Sequence, residues 1–131
     1  MSKPPSRAVS PAIVLFAHGA RDPQWARPFR KIQRAIARKK PGTAVELAYL
    51  EIMEPLLADA IARLVAAGHR RIVVAPLFMA QGGHLKRDLP KILDAIRAEH
   101  RGAAITLLPA IGDVGAVLDA ISDWLVGAIQ R

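Results

Sequence analysis

The sequence predicts an α/β fold: a small three-layer sandwich around a four-stranded parallel sheet. Two observations carry that prediction. Short apolar runs of strand length alternate four times with longer segments whose apolar residues recur at helical spacing. Each segment between strands is long enough for a crossover that returns the chain parallel to the strand before it. The chain has 131 residues, 52% of them hydrophobic and 23% charged, which suits one folded domain with a core of useful size.

The first eleven residues hold Pro4, Pro5, Ser6, Ser10 and Pro11 without the apolar run of a signal peptide. They predict a disordered leader over 1–11, with a single α/β domain over 12–131. Ala12 to Ala17 reads as the first strand, broken by His18-Gly19-Ala20-Arg21. Asp22 can cap a helix whose first position is Pro23, where a missing N–H costs nothing. Phe29, Ile32 and Ile36 mark the inward face of that helix, and Pro41-Gly42 stops it.

Ala44 to Leu50 mixes Val45, Leu47 and Tyr49 with charged Glu46, the pattern of an edge strand. A helix follows from Pro55, with Leu57, Ile61, Leu64 and Val65 on one face and Gly68 past its end. Ile72 to Met79 is the third strand, although Pro76 removes a ladder hydrogen bond there. Either the regular strand ends near Ala75, or the bond is lost where the chain turns toward a site. A third helix is expected from Asp88, as cap, to His100, with Leu89, Ile92, Leu93 and Ile96 inward. Ile105 to Ala110 is the fourth strand. Asp113 then caps a last helix whose inward residues are Val117, Leu118, Ile121, Leu125 and Ile129.

The chain has no cysteine, which excludes disulfides and thiolate metal sites and is compatible with a cytoplasmic protein. No apolar stretch approaches the roughly 18 residues a membrane helix needs. A net charge of +8 suits a polyanionic ligand. Much of the excess lies in Arg27, Arg30, Lys31, Arg34 and Arg38, at helical spacing. These read either as a solvated helix face or as a rim that attracts a polycarboxylate. No base-stacking aromatics interleave with them, which argues against nucleic acid.

Three polar residues fall just past predicted strand ends: His18, Glu51 and His84. In open parallel sheets, ligands bind beyond the carboxyl ends of the strands. Two imidazoles and a carboxylate gathered there would suit cobalt, iron, nickel or zinc better than magnesium or calcium. Singly, each residue has a plainer reading: a histidine after a strand can be a turn residue, and Glu51 can pair with an arginine. His69 and His100 read as turn and helix-end residues, Trp25 and Phe29 as core or interface, Met53 and Met79 as packing residues.

The wording of the motifs goes further. His18-Gly19-Ala20-Arg21-Asp22-Pro23, Tyr49-Leu50-Glu51 and the run Pro76-Leu77-Phe78-Met79-Ala80-Gln81-Gly82-Gly83-His84-Leu85-Lys86-Arg87-Asp88-Leu89-Pro90 closely resemble the class II chelatases. The best match is to the short sirohydrochlorin cobaltochelatases of the CbiX type, over about residues 12 to 127. The resemblance implies a chelatase-like half-domain. It also implies insertion of cobalt, or alternatively iron or nickel, into sirohydrochlorin or a related tetrapyrrole without a nucleotide.

On that reading, His18 and His84 are metal ligands and catalytic groups, at least one doubling as base, and Glu51 is a ligand or proton acceptor. Gly82 and Gly83 let a flat ring approach the backbone, and Arg21, Lys86 and Arg87 meet the substrate's carboxylates. Their plainer reading is as loop charges. Ala20 stands where the family commonly has serine. Longer members resemble two such halves around a cleft, so the resemblance implies a homodimer here.

Rival readings are a siroheme ferrochelatase, a nickel chelatase, or a non-catalytic metal or tetrapyrrole carrier. A histidine phosphatase is disfavoured, since that chemistry wants arginine directly before the histidine and Ala17 stands there.

Overall fold

A computed structural model describes residues 10–130. Most of the predicted leader lies outside these residues. Four strands, β1 (Ala12–Ala17), β2 (Val45–Tyr49), β3 (Arg71–Pro76) and β4 (Ala104–Leu107), alternate with four helices. The helices are α1 (Arg27–Lys39), α2 (Leu57–Ala66), α3 (Gly83–Glu99) and α4 (Gly115–Ile129). No described helix is long and apolar enough to cross a membrane. All strand pairs are parallel, in the order β2-β1-β3-β4, so the α/β prediction and the edge position of β2 both hold.

Register follows from burial on two faces. Ala12, Val14 and Phe16 of β1 point to one side and are fully buried with Ile72, Val74 and Ile105. That side receives Leu57, Ala60, Ile61 and Leu64 of α2 and Leu89, Leu93 and Ile96 of α3. The other side carries a smaller cluster of Ala17, Ala26 and Tyr49, with Trp25, Phe29, Leu47 and Met53 packed against it. Side-chain bonds to backbone tie two helices to the sheet: Gln33 Nε2 donates to the Val45 carbonyl at 2.7 Å, and Arg97 donates twice to the Ile105 carbonyl.

Asp22 caps as its side chain predicts, accepting from the Gln24 N–H at 2.9 Å, but it starts a 3-10 turn (Pro23–Ala26) that leads into α1. The proline question in the third strand also resolves: Pro76 is the last residue of β3, and the Leu77 N–H resumes the ladder by donating to the Phe16 carbonyl at 2.8 Å.

Four expectations are corrected. α3 begins at Gly83, so Asp88 lies in its second turn, exposed, and caps nothing. Gly82 takes the cap position in extended conformation, and glycine there carries little of the penalty it has in a helix interior. Asp113 ends a short 3-10 turn (Ile111–Asp113), and Val114 precedes α4 without a side-chain cap. The apolar residues assigned inward on α4 bury nothing: no residue of that helix is buried. Met79 is not a packing residue but an exposed one, 56% accessible beside the strand ends.

Candidate metal-handling site

Chain direction in this sheet reverses between β1 and β3: from β1 the chain moves out to β2, and from β3 it moves out to β4. Such a reversal parts the connecting loops and opens a crevice above the strand ends. His18 directly follows β1, and His84 follows β3 after a short loop, in the first turn of α3. The two histidines therefore come from the two strands that flank the reversal. Glu51 follows β2 on the far side of β1.

Backbone contacts fix how these loops leave the sheet. Leu50 N–H donates to the Ala17 carbonyl at 2.9 Å and Glu51 N–H to the His18 carbonyl at 3.2 Å, which extends the β1–β2 pairing into the site. Gly19 is required here: its φ is +95°, and a Cβ would collide with the Glu51 carbonyl. On the other side, Gly112 N–H donates to the Phe78 carbonyl at 3.1 Å, and a Cβ at Gly112 would strike the Met79 backbone. The loops are thus locked in two pairs, those after β1 and β2 to each other and those after β3 and β4 to each other.

The imidazole of His18 rests on the buried ring of Phe78, centroids 4.5 Å apart and planes tilted by 53°. Phe78 meets Phe16 edge-on at 5.5 Å, so the support under His18 is anchored in the core. His84 is exposed, with the Arg87 guanidinium 3.5 Å from its Nδ1, at the outer limit of a hydrogen bond. Arg21, Lys86 and Arg87 are all exposed, and a Cβ at Gly82 or Gly83 would meet nothing within 4 Å. The three residues expected to hold a metal share the edge but are not preassembled. Among the described residues, no three histidine, aspartate or glutamate side chains are grouped closely enough to hold one ion.

Sequence reasoning missed an apolar rim around these polar groups. Ile52, Leu56, Met79 and Leu108, one or two from each of three loops beyond β2, β3 and β4, are exposed large hydrophobics. Ile52 is 62% exposed and holds a left-handed φ of 72°, a strained conformation for a β-branched residue. Beneath the rim lies a cavity of about 190 Å³, lined by Phe16, Tyr49, Leu50, Leu56, Leu57, Ala58 and Ile92. The available signal was position: apolar residues directly after strand ends, where a water-facing loop has no use for them.

The fold and edge define an α/β protein that presents two histidines and a glutamate just past its strand ends, beside exposed apolar residues. Residues 12–126 match the CbiX family model, and the chain belongs to that family. A sirohydrochlorin cobaltochelatase of Saccharolobus islandicus is 33% identical over 91% of this chain and 93% of its own length. One of Methanococcus aeolicus is 36% identical over 67% of this chain. The chain spans about three fifths of the length of the first curated relatives it matches (62%, 57% and 63%).

Among solved structures, a CbiX protein of cobalamin biosynthesis from Marinobacter aquaeolei superposes with a TM-score of 0.78. It is 32% identical, with 92% of this chain and 98% of that one covered. The chelatase SirB of Bacillus subtilis, in complex with cobalt, shares the fold at 22% identity and a TM-score of 0.72. There 88% of this chain matches 50% of that one.

Proposed function

We propose that this chain is a nucleotide-independent class II chelatase that inserts a divalent metal, cobalt first, into sirohydrochlorin or a related tetrapyrrole. The observation that carries the proposal is the placement of His18 just past β1 and of His84 at the start of the helix that follows β3, the two strands flanking the reversal, with exposed apolar residues on the same edge. The relatives named sirohydrochlorin cobaltochelatases support the choice of substrate.

The metal is a substrate here and must be released. Insertion strips water from the ion, forms bonds to four pyrrole nitrogens and expels two N–H protons. Neutral imidazoles suit both parts, since each can hold a metal through a lone pair or accept a proton. His18 and His84 receive the ion, at least one of them accepts a proton as the ring closes on it, and Glu51 serves as third ligand or second acceptor. Three loosely gathered ligands hold an ion less firmly than a complete tetrahedral shell would. That looseness favours transfer to the macrocycle.

Sirohydrochlorin is flat in its centre and carries eight carboxylates at its periphery. Ile52, Leu56 and Met79 offer the apolar contact; Arg21, Lys86 and Arg87 offer charge. Gly82 and Gly83 expose first-turn N–H groups of α3, which favour anions. The cavity under the rim is smaller than the about 300 Å³ at which ligand pockets begin, so the macrocycle lies across the edge rather than inside it. One copy then leaves the outer ring face open, and a second copy closes it, giving a homodimer. The match of this fold to half of the SirB chain supports such a pairing.

We place the protein in the cytoplasm, with the tetrapyrrole rather than nucleic acid or membrane as its partner. Iron or nickel is the alternative metal, as ferrochelatase or nickel chelatase. The test is anaerobic incubation of sirohydrochlorin with Co²⁺, Fe²⁺ or Ni²⁺, followed by absorption. A chelatase converts many equivalents per chain. A metal or tetrapyrrole carrier binds one and does not accelerate insertion, and that result would overturn the proposal.

A further inference from the structure

The cavity beneath the apolar rim has a mouth, two walls and an inner end. Leu56, 43% exposed, stands at the mouth, and the fully buried Phe16 closes the inner end. Leu57 and Ala58 of α2 form one wall and Ile92 of α3 the other. Both helices cover the same face of the sheet, and at this end they leave a hollow between them.

Position ties the hollow to the histidines. Phe16 meets Phe78 edge-on at 5.5 Å, and Phe78 carries the His18 imidazole at 4.5 Å. Phe16 lies at the end of β1, and His18 directly follows that strand. A tetrapyrrole bears its substituents on its outer edge. A macrocycle whose centre meets His18 therefore lays part of that edge over the mouth.

The lining decides which substituent can enter. None of its seven residues is charged. Tyr49, the one with a polar side chain, packs in the cluster on the opposite face of the sheet, and its N–H already donates to the Pro55 carbonyl at 2.9 Å. A carboxylate entering here would give up its water with no cation to meet it, which is costly. The acetates and propionates of sirohydrochlorin are excluded on that ground. Its remaining substituents are two methyl groups, each on a saturated ring carbon and so standing off the ring plane beside an acetate. A ring lying flat across the edge can point such a methyl down into the hollow. The carboxylates then stay in water or reach the exposed Arg21, Lys86 and Arg87.

We propose that this hollow is a methyl-binding subsite that selects the methylated tetrapyrrole over a porphyrin of equal charge. This rests on the chelatase reading above and names the feature by which the chain tells its substrate from a close analogue. Sirohydrochlorin and uroporphyrin III both carry eight carboxylates, so charge does not separate them, and uroporphyrin III has no methyl group to offer. Burying one methyl-sized apolar group is worth about four-fold in affinity.

The test is binding of metal-free sirohydrochlorin and metal-free uroporphyrin III, read by ring fluorescence at one ionic strength. Wild type is expected to favour sirohydrochlorin by at least about four-fold. Ala58→Leu fills the hollow from α2, at an exposed position where the fold tolerates a larger side chain, and Ile92→Phe fills it from α3 at a half-buried one. Each is expected to abolish the preference by weakening sirohydrochlorin more than uroporphyrin III, with the helical circular dichroism retained. Equal affinity of wild type for the two rings would overturn the subsite and leave metal insertion standing. A preference that survives both fillings would overturn it as well. A wild-type chain that binds neither ring would overturn the chelatase reading and the subsite together.

Discussion

The Phe78 ring lies under the His18 imidazole with centroids 4.5 Å apart, which joins the core of the sheet to a candidate metal ligand. Phe78 is itself 3% exposed and meets Phe16 edge-on. Truncating it removes both a core side chain and the platform of the histidine. Phe78→Ala is expected to cost about 3–5 kcal/mol, read by urea unfolding. Phe78→Leu restores most of the volume and is expected to recover most of the stability, but to lower kcat/KM for metal because an aliphatic chain leaves the imidazole free to turn.

Gly19 and Glu51 approach so closely that a methyl group cannot be placed between them. Gly19→Ala must also adopt a φ of +95°, so strain and collision add. The expected loss is about 1–3 kcal/mol from strain, with further loss from the displaced loop. Insertion should fall more than folding, because the contact spaces His18 from Glu51. A Gly42→Ala control, at a positive φ but with nothing nearby, shares the strain and leaves insertion unchanged.

Ile52 makes a prediction with opposite signs. Its left-handed backbone costs about 1–2 kcal/mol for an L residue, while its side chain contributes to the apolar rim. Ile52→Gly is expected to raise the unfolding midpoint or leave it unchanged, yet to raise KM for sirohydrochlorin. Parallel thermal melts and steady-state assays read the two effects separately.

Lys86 and Arg87 are exposed, so their attraction to a polycarboxylate is screened by salt. Replacing both by alanine is expected to raise KM for the tetrapyrrole several-fold at low ionic strength and to leave KM for the metal unchanged. The difference from wild type should shrink by 0.5 M salt, when the Debye length has fallen to about 4 Å.

The sheet was legible because strand signals in this chain are strong. Ala12–Ala17 is apolar throughout, as burial on both faces demands, and Glu46 correctly marked an edge. His18, Glu51 and His84 were placed on one edge by topology alone. The start of α3 was hidden by Gly82-Gly83, which reads as loop although glycine is at little disadvantage at a helix cap. The exposed state of α4 was not legible either: an apolar stripe tells that a surface is to be buried, not whether the chain's own sheet buries it. For the same reason Met79 passed for packing, since sequence does not separate a residue that fills a core from one that borders a site.

The central claim is that His18 and His84 jointly hand a metal to a tetrapyrrole. The most direct measurement is anaerobic cobalt insertion into sirohydrochlorin by His18→Ala, His84→Ala and the double variant, under limiting Co²⁺, with folding checked by circular dichroism. Both side chains are exposed, so the fold should survive. The account predicts that each single variant loses at least ten-fold in rate and that the double variant falls little further, because the two act on one ion. Full activity in either single variant, with the fold intact, would contradict it.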